Sequence, residues 1–168
     1  MRPVAGTRLM ADVVFYAKPG CLSNAKQKQL LAGLGHRLSV RDLLAEPWTA
    51  ARLRPFFGDR PVPDWFNPSA PVIKSGVLDP WALDEADALA LMVADPLLIR
   101  RPLIEALDLR CAGFEPGPML DALGVQLPAS ADLQSCSRDA GQPSCDALQA
   151  SAPGGRLTAP LAAEADPR

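Results

Sequence analysis

The chain has 168 residues, and its 17 basic and 19 acidic residues give a net charge of −2. This length suggests about one domain at ~150 residues each, and the balanced charge lacks the basic excess of a nucleic-acid-binding protein. No stretch approaches the ~18 uninterrupted apolar residues of a membrane span, and the early apolar run is too short for a secretion signal. The four cysteines lack the pattern of a small disulfide-rich protein, so we expect a reduced, cytoplasmic protein without membrane or nucleic-acid partners.

Composition divides the chain near its residue 124. All nine aromatic residues lie within residues 15–114, and the last 44 residues contain none. A segment with so little large apolar surface cannot offset the entropy lost on ordering. We therefore predict a folded domain over residues 12–124 and a disordered tail rich in Ala, Pro and Ser over residues 125–168. The sequence leaves open whether translation begins at Met1 or Met10.

The first predicted elements form a strand–helix–strand unit. Residues 12–16 (DVVFY) are a β-branched and aromatic run, which is typical of a buried strand. After a Lys-Pro-Gly break, residues 22–34 place apolar side chains near one face of a predicted helix, and Gly35 ends it. Residues 37–41 alternate polar and apolar and predict a second strand. Two strands joined by a helix of ~12 residues predict a parallel βαβ unit.

The rest of the domain is predicted as a helical region followed by a hairpin, which makes the class α/β. The predicted elements are a helix over 49–57 capped by Thr49, a Pro- and Trp-rich segment over 58–80, a helix ending at Ala94 and capped by Asp84, strands over 97–107 and 109–114, and a helix over 118–123.

Cys21 is the candidate catalytic residue because it follows a Pro-Gly turn and opens the first predicted helix. Free backbone N–H groups and the positive end of the helix dipole favour a thiolate there, and the thiolate is the reactive form. Lys18 and Lys26 add positive charge, and Asn24 stands where it can donate a hydrogen bond to the sulfur. The alternative is a cysteine that only packs at the start of a helix.

Several sharper motifs are absent. Asn24 takes the place of the second cysteine of a C-x-x-C pair, and Gln27 takes the place of the arginine of a C-x₅-R phosphatase loop. His36 is the only histidine and no cysteines have zinc-ligand spacing, so we predict no metal and give His36 a surface or capping role. Cys136 and Cys145 are expected to be incidental thiols on the tail.

Two segments carry a resemblance to a known family. Residues 15–31 (FYAKPGCLSNAKQKQLL) resemble the opening of the arsenate reductase (ArsC)/Spx family, and residues 95–104 (DPLLIRRPLI) resemble its second signature, an Arg-Pro at the start of the third strand. The resemblance covers residues 12–124. It implies an α/β, thioredoxin-like fold of the ArsC/Spx type with inserted helices, and the disordered tail predicted from composition lies outside it.

The resemblance also assigns residues to roles. Cys21 would be the nucleophile, Arg101 would bind an oxyanion or the glutathione carboxylate, and Pro102 would be a cis proline that faces the cysteine. Glutathione is implied as a co-substrate, with no tightly bound cofactor.

A narrower resemblance concerns residues 56–67 (FFGDRPVPDWFN) and 70–76 (APVIKSG), which are similar to the nitrogenase-associated proteins of that family. It implies nitrogen-fixation proteins or a redox partner protein as the partners of this chain.

The chain departs from the family at its anion-binding arginines. The positions near Ser69 and Ala112, where the family has arginines, have none here, while Arg100 and Arg60 are the remaining candidates beside Arg101. Losing a charged hydrogen-bond donor weakens anion binding by roughly 1.5–3 kcal/mol. Two losses would lower the affinity by about two to four powers of ten, which argues against arsenate reduction.

The resemblance favours a nitrogenase-associated protein that supports nitrogen fixation, with thiol redox chemistry at Cys21, and three hypotheses about its chemistry remain open. The chain could be a thiol oxidoreductase whose Cys21 is resolved by an outside thiol or by Cys111. It could instead be a non-catalytic protein-binding regulator, or a redox-inert member of a complex. The aromatic residues that would anchor an interface, unless they cover a small core, are Trp48, Phe56, Phe57, Trp65 and Trp81.

Overall fold

The computed structural model of the protein describes residues 10–127 and Leu133. The strands are β1 (Asp12–Ala17), β2 (Arg37–Asp42), β3 (Leu103–Ala106) and β4 (Leu109–Ala112), and the α-helices are α1 (Leu22–Gly33), α2 (Ala50–Leu53), α3 (Pro71–Lys74), α4 (Glu85–Ala94) and α5 (Pro118–Ala122). Short 3₁₀ turns occupy Arg54–Phe56, Val62–Trp65, Pro80–Ala82 and Pro96–Leu98. Within the described range, no helix has the length and apolar character needed to cross a membrane. The predictions for Met1, Cys136, Cys145 and nearly all of the tail lie outside the described residues.

The four strands form one mixed sheet in the order β2-β1-β3-β4. The β1–β2 pair is parallel, with Asp12 opposite Arg37 and Ala17 opposite Asp42, which confirms the predicted βαβ unit. β3 runs antiparallel to both of its neighbours. The α/β class predicted from the sequence is therefore confirmed.

Alternation along β1 separates two apolar clusters, one on each face of the sheet. Val13, Phe15 and Ala17 pack with α1 and α5, and Tyr16 packs on the opposite face with the helical segment between β2 and β3. Both faces of the sheet are thus covered at the end where β1 finishes.

The fold also takes in Val125, which composition assigns to the tail. Gly124 has a left-handed φ of 69°, and Val125 N donates to Leu120 O at 2.8 Å. This six-to-one bond is the helix-ending Schellman pattern, which places an apolar residue after the glycine against the last helical turn. Val125 is accordingly buried with Leu120 in the α1-side cluster.

Three predicted elements are shorter than the sequence suggests: the strand predicted over 109–114 ends at Ala112, and proline explains the other two. The helix predicted over 49–57 ends at Leu53, because Pro55 has no N–H to continue the α-helical ladder. The first strand of the hairpin begins at Leu103 rather than at residue 97. The stretch before it opens with Pro96–Leu98, a 3₁₀ turn in which the Asp95 side chain accepts from Leu97 N at 3.1 Å.

Four of the five aromatic residues considered as interface anchors are core residues. Trp48, Phe56, Phe57 and Trp65 are buried, whereas Trp81 is 81% exposed. The Trp65 and Phe57 rings stack at 4.8 Å between centroids, 6° from parallel. These aromatic rings cover the sheet, so only Trp81 remains available as an interface anchor.

Candidate functional site

Cys21 stands at the junction between β1 and α1, as the sequence predicts. It is the N-cap of α1 in an extended conformation, with φ −77° and ψ 116°. Its N–H donates to Lys18 O at 3.2 Å and its carbonyl accepts from Ala25 N at 3.1 Å. Gly20 has a φ of 75°, a conformation that glycine adopts without strain. The turn therefore delivers the thiol to the start of the helix, where it is 8% exposed.

A pocket of about 390 Å³ opens beside Cys21. It is bounded by the β1–α1 loop, the first turns of α1 and the end of β2, and its charged lining residues are Lys18, Lys28, Arg41 and Asp42. Three cations against one carboxylate make the pocket positive. Lys28, rather than the expected Lys26, is the α1 lysine that lines it.

Asn24 holds the loop rather than the thiol. Its Oδ1 accepts from Lys18 N at 3.1 Å, and its Nδ2 donates to Gln27 Oε1 at 2.9 Å. Gln27 Nε2 in turn donates to Leu133 O at 2.5 Å. The expected hydrogen bond from Asn24 to the Cys21 sulfur is not among the hydrogen bonds of the described residues. Asn24 therefore fixes the backbone at Lys18, three residues before the cysteine.

The Arg101–Pro102 peptide bond is cis, in agreement with the resemblance. Leu103, the next residue, pairs with Tyr16 near the end of β1, and Pro102 O accepts from Gly113 N at 2.8 Å. The topology thus brings Arg101 and Pro102 to the end of the sheet where Cys21 begins α1.

The candidate arginines Arg60 and Arg100 meet on a carboxylate that the sequence reasoning did not single out. Arg60 Nη1 donates to Glu115 Oε2 at 3.0 Å, and Arg100 Nη2 donates to Glu115 Oε1. Burial lowers the pKa of Arg100, and the charge of Arg60 lowers it further, while Asp64 opposes the change. Both arginines therefore already have an anionic partner within the chain.

A second guanidinium nitrogen of Arg100, Nε, is less well satisfied than Nη2. Arg100 Nε is buried without a hydrogen-bond partner among the described residues, although the backbone N–H of Arg100 donates to Trp65 O at 2.9 Å. Glu115 is the carboxylate that pairs with the Arg100 guanidinium. Removing the Glu115 charge would leave the Arg100 cation buried without that partner.

Cys111 lies in β4 and lines a separate pocket of about 280 Å³ together with Arg60 and Glu115. Burial raises the pKa of the Cys111 thiol to about 12, and the charge of Arg60 only partly opposes the rise. About one thiol in 10⁵ is then ionised at pH 7. Since only a thiolate attacks a disulfide, Cys111 is a poor resolving thiol. Cys21 and Cys111 are both free.

Of the surface and capping roles expected for His36, burial rules out the surface role. Its Nδ1 accepts from Ala11 N at 3.2 Å, and its Nε2 lies 2.7 Å from Leu123 O. A ring nitrogen that accepts from an N–H and one that donates to a carbonyl define a single neutral tautomer. His36 therefore joins the start of β1 to the end of α5, and in the described part of the chain no group of three His, Cys, Asp or Glu residues is placed to hold a metal.

Comparison with known proteins identifies relatives at two levels. The chain is 46% identical over 136 residues to an uncharacterized 15.7 kDa protein in the draG 3′ region of Rhodospirillum rubrum, covering 81% of this chain and 95% of that protein. No family model matches the chain.

Solved structures similar to the chain include an arsenate reductase and a protein described as related to the ArsC family. A protein of Bacteroides fragilis described as ArsC family related has a TM-score of 0.56 at 25% identity, covering 62% of this chain and 92% of that one. Arsenate reductase from Vibrio cholerae also has a TM-score of 0.56, at 21% identity, covering 70% of this chain and all of that one. The second likeness concerns the fold alone.

Proposed function

We propose that the chain is a single-thiol redox protein whose reacting group is Cys21. The premise is that the chain belongs to the family of the Rhodospirillum rubrum protein and has the thioredoxin-like fold of the ArsC arsenate reductases. The observation that carries the proposal is the place of this thiol. Cys21 caps the start of α1 and faces a pocket lined by Lys18, Lys28 and Arg41. Unpaired N–H groups at a helix start and nearby cations both stabilise a thiolate.

The pocket favours an anionic thiol or disulfide partner, and glutathione is the partner we propose. Glutathione carries two carboxylates and one ammonium group, so its net charge is opposite to that of the pocket. The volume of about 390 Å³ lies in the usual range of ~300–1,000 Å³ for small-ligand sites. The resemblance assigns the glutathione carboxylate to Arg101 and the contact with the glutathione backbone to Pro102.

The proposed step is a thiol–disulfide exchange. The Cys21 thiolate attacks one sulfur of glutathione disulfide, whose S–S bond breaks as a new S–S bond to Cys21 forms. The second glutathione leaves as a thiolate and takes a proton from water. A thiolate of a partner protein then attacks the glutathione sulfur of the mixed disulfide, so that a partner–glutathione disulfide forms and Cys21 leaves as a thiolate. Cys111 takes no part, because burial keeps it protonated.

Glutathione disulfide and intact-protein mass spectrometry test the proposal. The protein should have Cys136 and Cys145 changed to Ser, so that Cys21 and Cys111 are its only thiols. We expect one glutathione per chain, located on Cys21 by peptide mapping. Cys21→Ser should take up none, and Cys111→Ser should react like the parent. A protein that stays unmodified, or that reacts at Cys111, contradicts the proposal.

Arsenate reduction is the less favoured chemistry for this site. A tetrahedral oxyanion needs several convergent N–H donors to replace its water, and Arg60 and Arg100 both donate to Glu115. We therefore expect no arsenate-dependent oxidation of glutathione above the rate of the Cys21→Ser protein.

We further propose that the redox step serves nitrogen fixation. This part rests on the resemblance of residues 56–67 and 70–76 to the nitrogenase-associated proteins. A nitrogen-fixing host whose own copy carries Cys21→Ser should reduce less acetylene than the parent while growing equally well on ammonium. Equal acetylene reduction in the two strains would contradict a role of Cys21 in nitrogen fixation. The proposed reaction with glutathione disulfide would still stand.

A non-catalytic binding role is the second candidate, and one observation favours it. Trp81 is 81% exposed and Val77 is 80% exposed, in a chain whose other tryptophans are buried. Exposed tryptophan is a frequent anchor of protein interfaces. If binding rather than turnover is the function, Trp81→Ala should lower acetylene reduction by the nitrogen-fixing host, while Cys21→Ser should leave it unchanged.

A further inference from the structure

The helical segment between β2 and β3 covers only part of the Tyr16 face of the sheet. Beyond it lies a polar groove of about 410 Å³ on the same face, whose lining includes residues of all four strands and of the α2 region: Val14, Tyr16, Arg41, Arg52, Glu105 and Arg110. Of these lining residues, the thiol chemistry proposed above involves only Arg41.

Strand register explains why these side chains share one face. Tyr16 is opposite Arg41 across the β1–β2 pair, and Val14 is opposite Glu105 across the β1–β3 pair. Glu105 is in turn opposite Arg110. Directly paired residues of neighbouring strands point to the same side, and strands lie ~4.8 Å apart. Arg41 on β2 and Arg110 on β4 therefore stand at the two edges of the sheet, roughly 15 Å apart, with the groove between them.

The groove has more positive than negative charge. Three arginines face two carboxylates: Arg52 Nη2 is 2.8 Å from Glu46 Oε2, Arg110 Nε is 3.1 Å from Glu105 Oε1, and Arg41 Nη1 is 3.7 Å from Glu46 Oε1. The Arg41 contact is long, and its side chain is 51% exposed. Each guanidinium has five N–H donors, so these few contacts leave donors of Arg41 and Arg110 directed to solvent.

Arg52 is held by several contacts, whereas Arg41 and Arg110 each contact one carboxylate. Arg52 Nη2 also donates to the Tyr16 hydroxyl at 3.3 Å, and its guanidinium lies 4.7 Å from the centre of the Trp48 ring. This fixed cation forms the wall of the groove on the α2 side. Arg41 and Arg110 flank it from opposite sheet edges.

We propose that this groove binds a small molecule with two or more oxyanion groups, phosphate or carboxylate, held between Arg41 and Arg110 against Arg52. A ligand with two anionic ends matches two separated guanidinium groups, each of which can bind an oxyanion in a bidentate manner. Arg41 also lines the Cys21 pocket, so the ligand would sit next to that pocket without entering it.

Isothermal titration calorimetry with pyrophosphate tests the proposal, and citrate in a second titration distinguishes phosphate from carboxylate ligands. At low ionic strength we expect one saturable site per chain for at least one of the two anions, weakening as sodium chloride is added. Arg110→Ala should weaken binding by about 10- to 100-fold. Arg41→Ala should do the same. Lys74→Ala removes an exposed positive charge outside the groove and should bind like the parent.

A change in the opposite direction separates binding from general loss of stability. Glu105→Gln removes a carboxylate from the groove and should tighten binding several-fold, which a damaged fold would not do. Arg110→Lys keeps the charge but not the planar fork, so its affinity should lie between those of the parent and Arg110→Ala. Circular dichroism spectra should be the same for all of these proteins.

The outcomes are distinct from those for Cys21. Absence of saturable binding for both anions, or affinities that Arg110→Ala and Glu105→Gln leave unchanged, would overturn the proposal. Arg110 does not line the Cys21 pocket, so Arg110→Ala should form the mixed disulfide with glutathione at the parent rate whether or not the groove binds an anion.

Discussion

Glu115 accepts a hydrogen bond from Arg60 at 3.0 Å although the two residues are 55 positions apart in the chain. The other carboxylate oxygen accepts from Arg100, so one acid holds two bases together. We expect Glu115→Gln to lower the free energy of unfolding by about 1–3 kcal/mol, because it leaves the largely buried Arg100 beside the like charge of Arg60. Urea unfolding measures the change.

A matched control for Glu115→Gln is Glu85→Gln. Glu85 also pairs with an arginine, Arg54, but its side chain is 56% exposed, and exposed pairs contribute less than about 1 kcal/mol. Sulfate stabilises folded proteins in general, so by replacing the lost carboxylate it should raise the unfolding free energy of Glu115→Gln by more than that of Glu85→Gln. Equal losses in the two variants would mean that the Glu115 cluster behaves as an ordinary surface ion pair.

Cys111 should make the free energy of unfolding decrease at alkaline pH. Its folded-state pKa of about 12 is above the ~8.5 of a free cysteine, so the folded chain keeps a proton that the unfolded chain releases. The stability linked to this group is complete below pH ~8.5 and falls at higher pH, by up to ~1.4 kcal/mol per pH unit, until the pH passes 12.

The Cys111 prediction is measured in a protein whose other three cysteines are Ser. Its unfolding free energy should fall between pH 9 and 11, and the further change Cys111→Ala should flatten that fall. At pH 7, iodoacetamide should modify Cys111 roughly 10³ times more slowly than a free cysteine. Fast labelling of the folded protein would show that burial does not protect this thiol.

His36 should contribute to stability through both ring nitrogens. His36→Ala leaves Ala11 N and Leu123 O without their partner, and we expect a loss of about 2–4 kcal/mol for the two buried groups. His36→Asn can keep the acceptor for Ala11, and His36→Gln can keep the donor to Leu123, so each should lose about half as much. If His36→Ala unfolds at the same urea concentration as the parent, the two hydrogen bonds carry no net stability.

Trp65 and Trp81 should respond in opposite ways to truncation. Trp65 is fully buried, and its Nε1 donates to Arg60 O at 2.8 Å, so Trp65→Ala should cost about 3–5 kcal/mol. Trp81→Ala should change stability by less than ~0.5 kcal/mol. Thermal unfolding of the two variants checks both values. A loss of function in Trp65→Ala would therefore say nothing about an interface, whereas one in Trp81→Ala would.

The first strand, helix and strand could be predicted because their signals are local. The run over residues 12–16, the Pro-Gly turn and the alternation over residues 37–41 each specify their element without help from the rest of the chain. The place of Cys21 follows from the same few residues. The position of the catalytic candidate can therefore be predicted from the local sequence, whereas the residues around it cannot.

The remainder of the site depends on contacts between distant residues, which a single sequence does not display. Glu115 has no motif of its own, and only the folded chain brings it to Arg60 and Arg100. The burial of an aromatic residue cannot be predicted from a single sequence either, because the same residue types occur in interfaces and in cores. Trp65 and Trp81 are the same residue type, but Trp65 is buried by its neighbours and Trp81 is exposed.

The sheet order has a consequence for synthesis of the chain. β1 pairs with β2 on one side after a short connection, but its other neighbour, β3, begins at Leu103. At ~5–20 residues per second, a ribosome needs roughly 4–17 s to proceed from Tyr16 to the residue that pairs with it. During that interval the Cys21 thiol leaves the exit tunnel beside an open strand edge. The Cys21 thiol, which is buried in the folded chain, is therefore accessible to oxidants during synthesis before β3 can pair with β1.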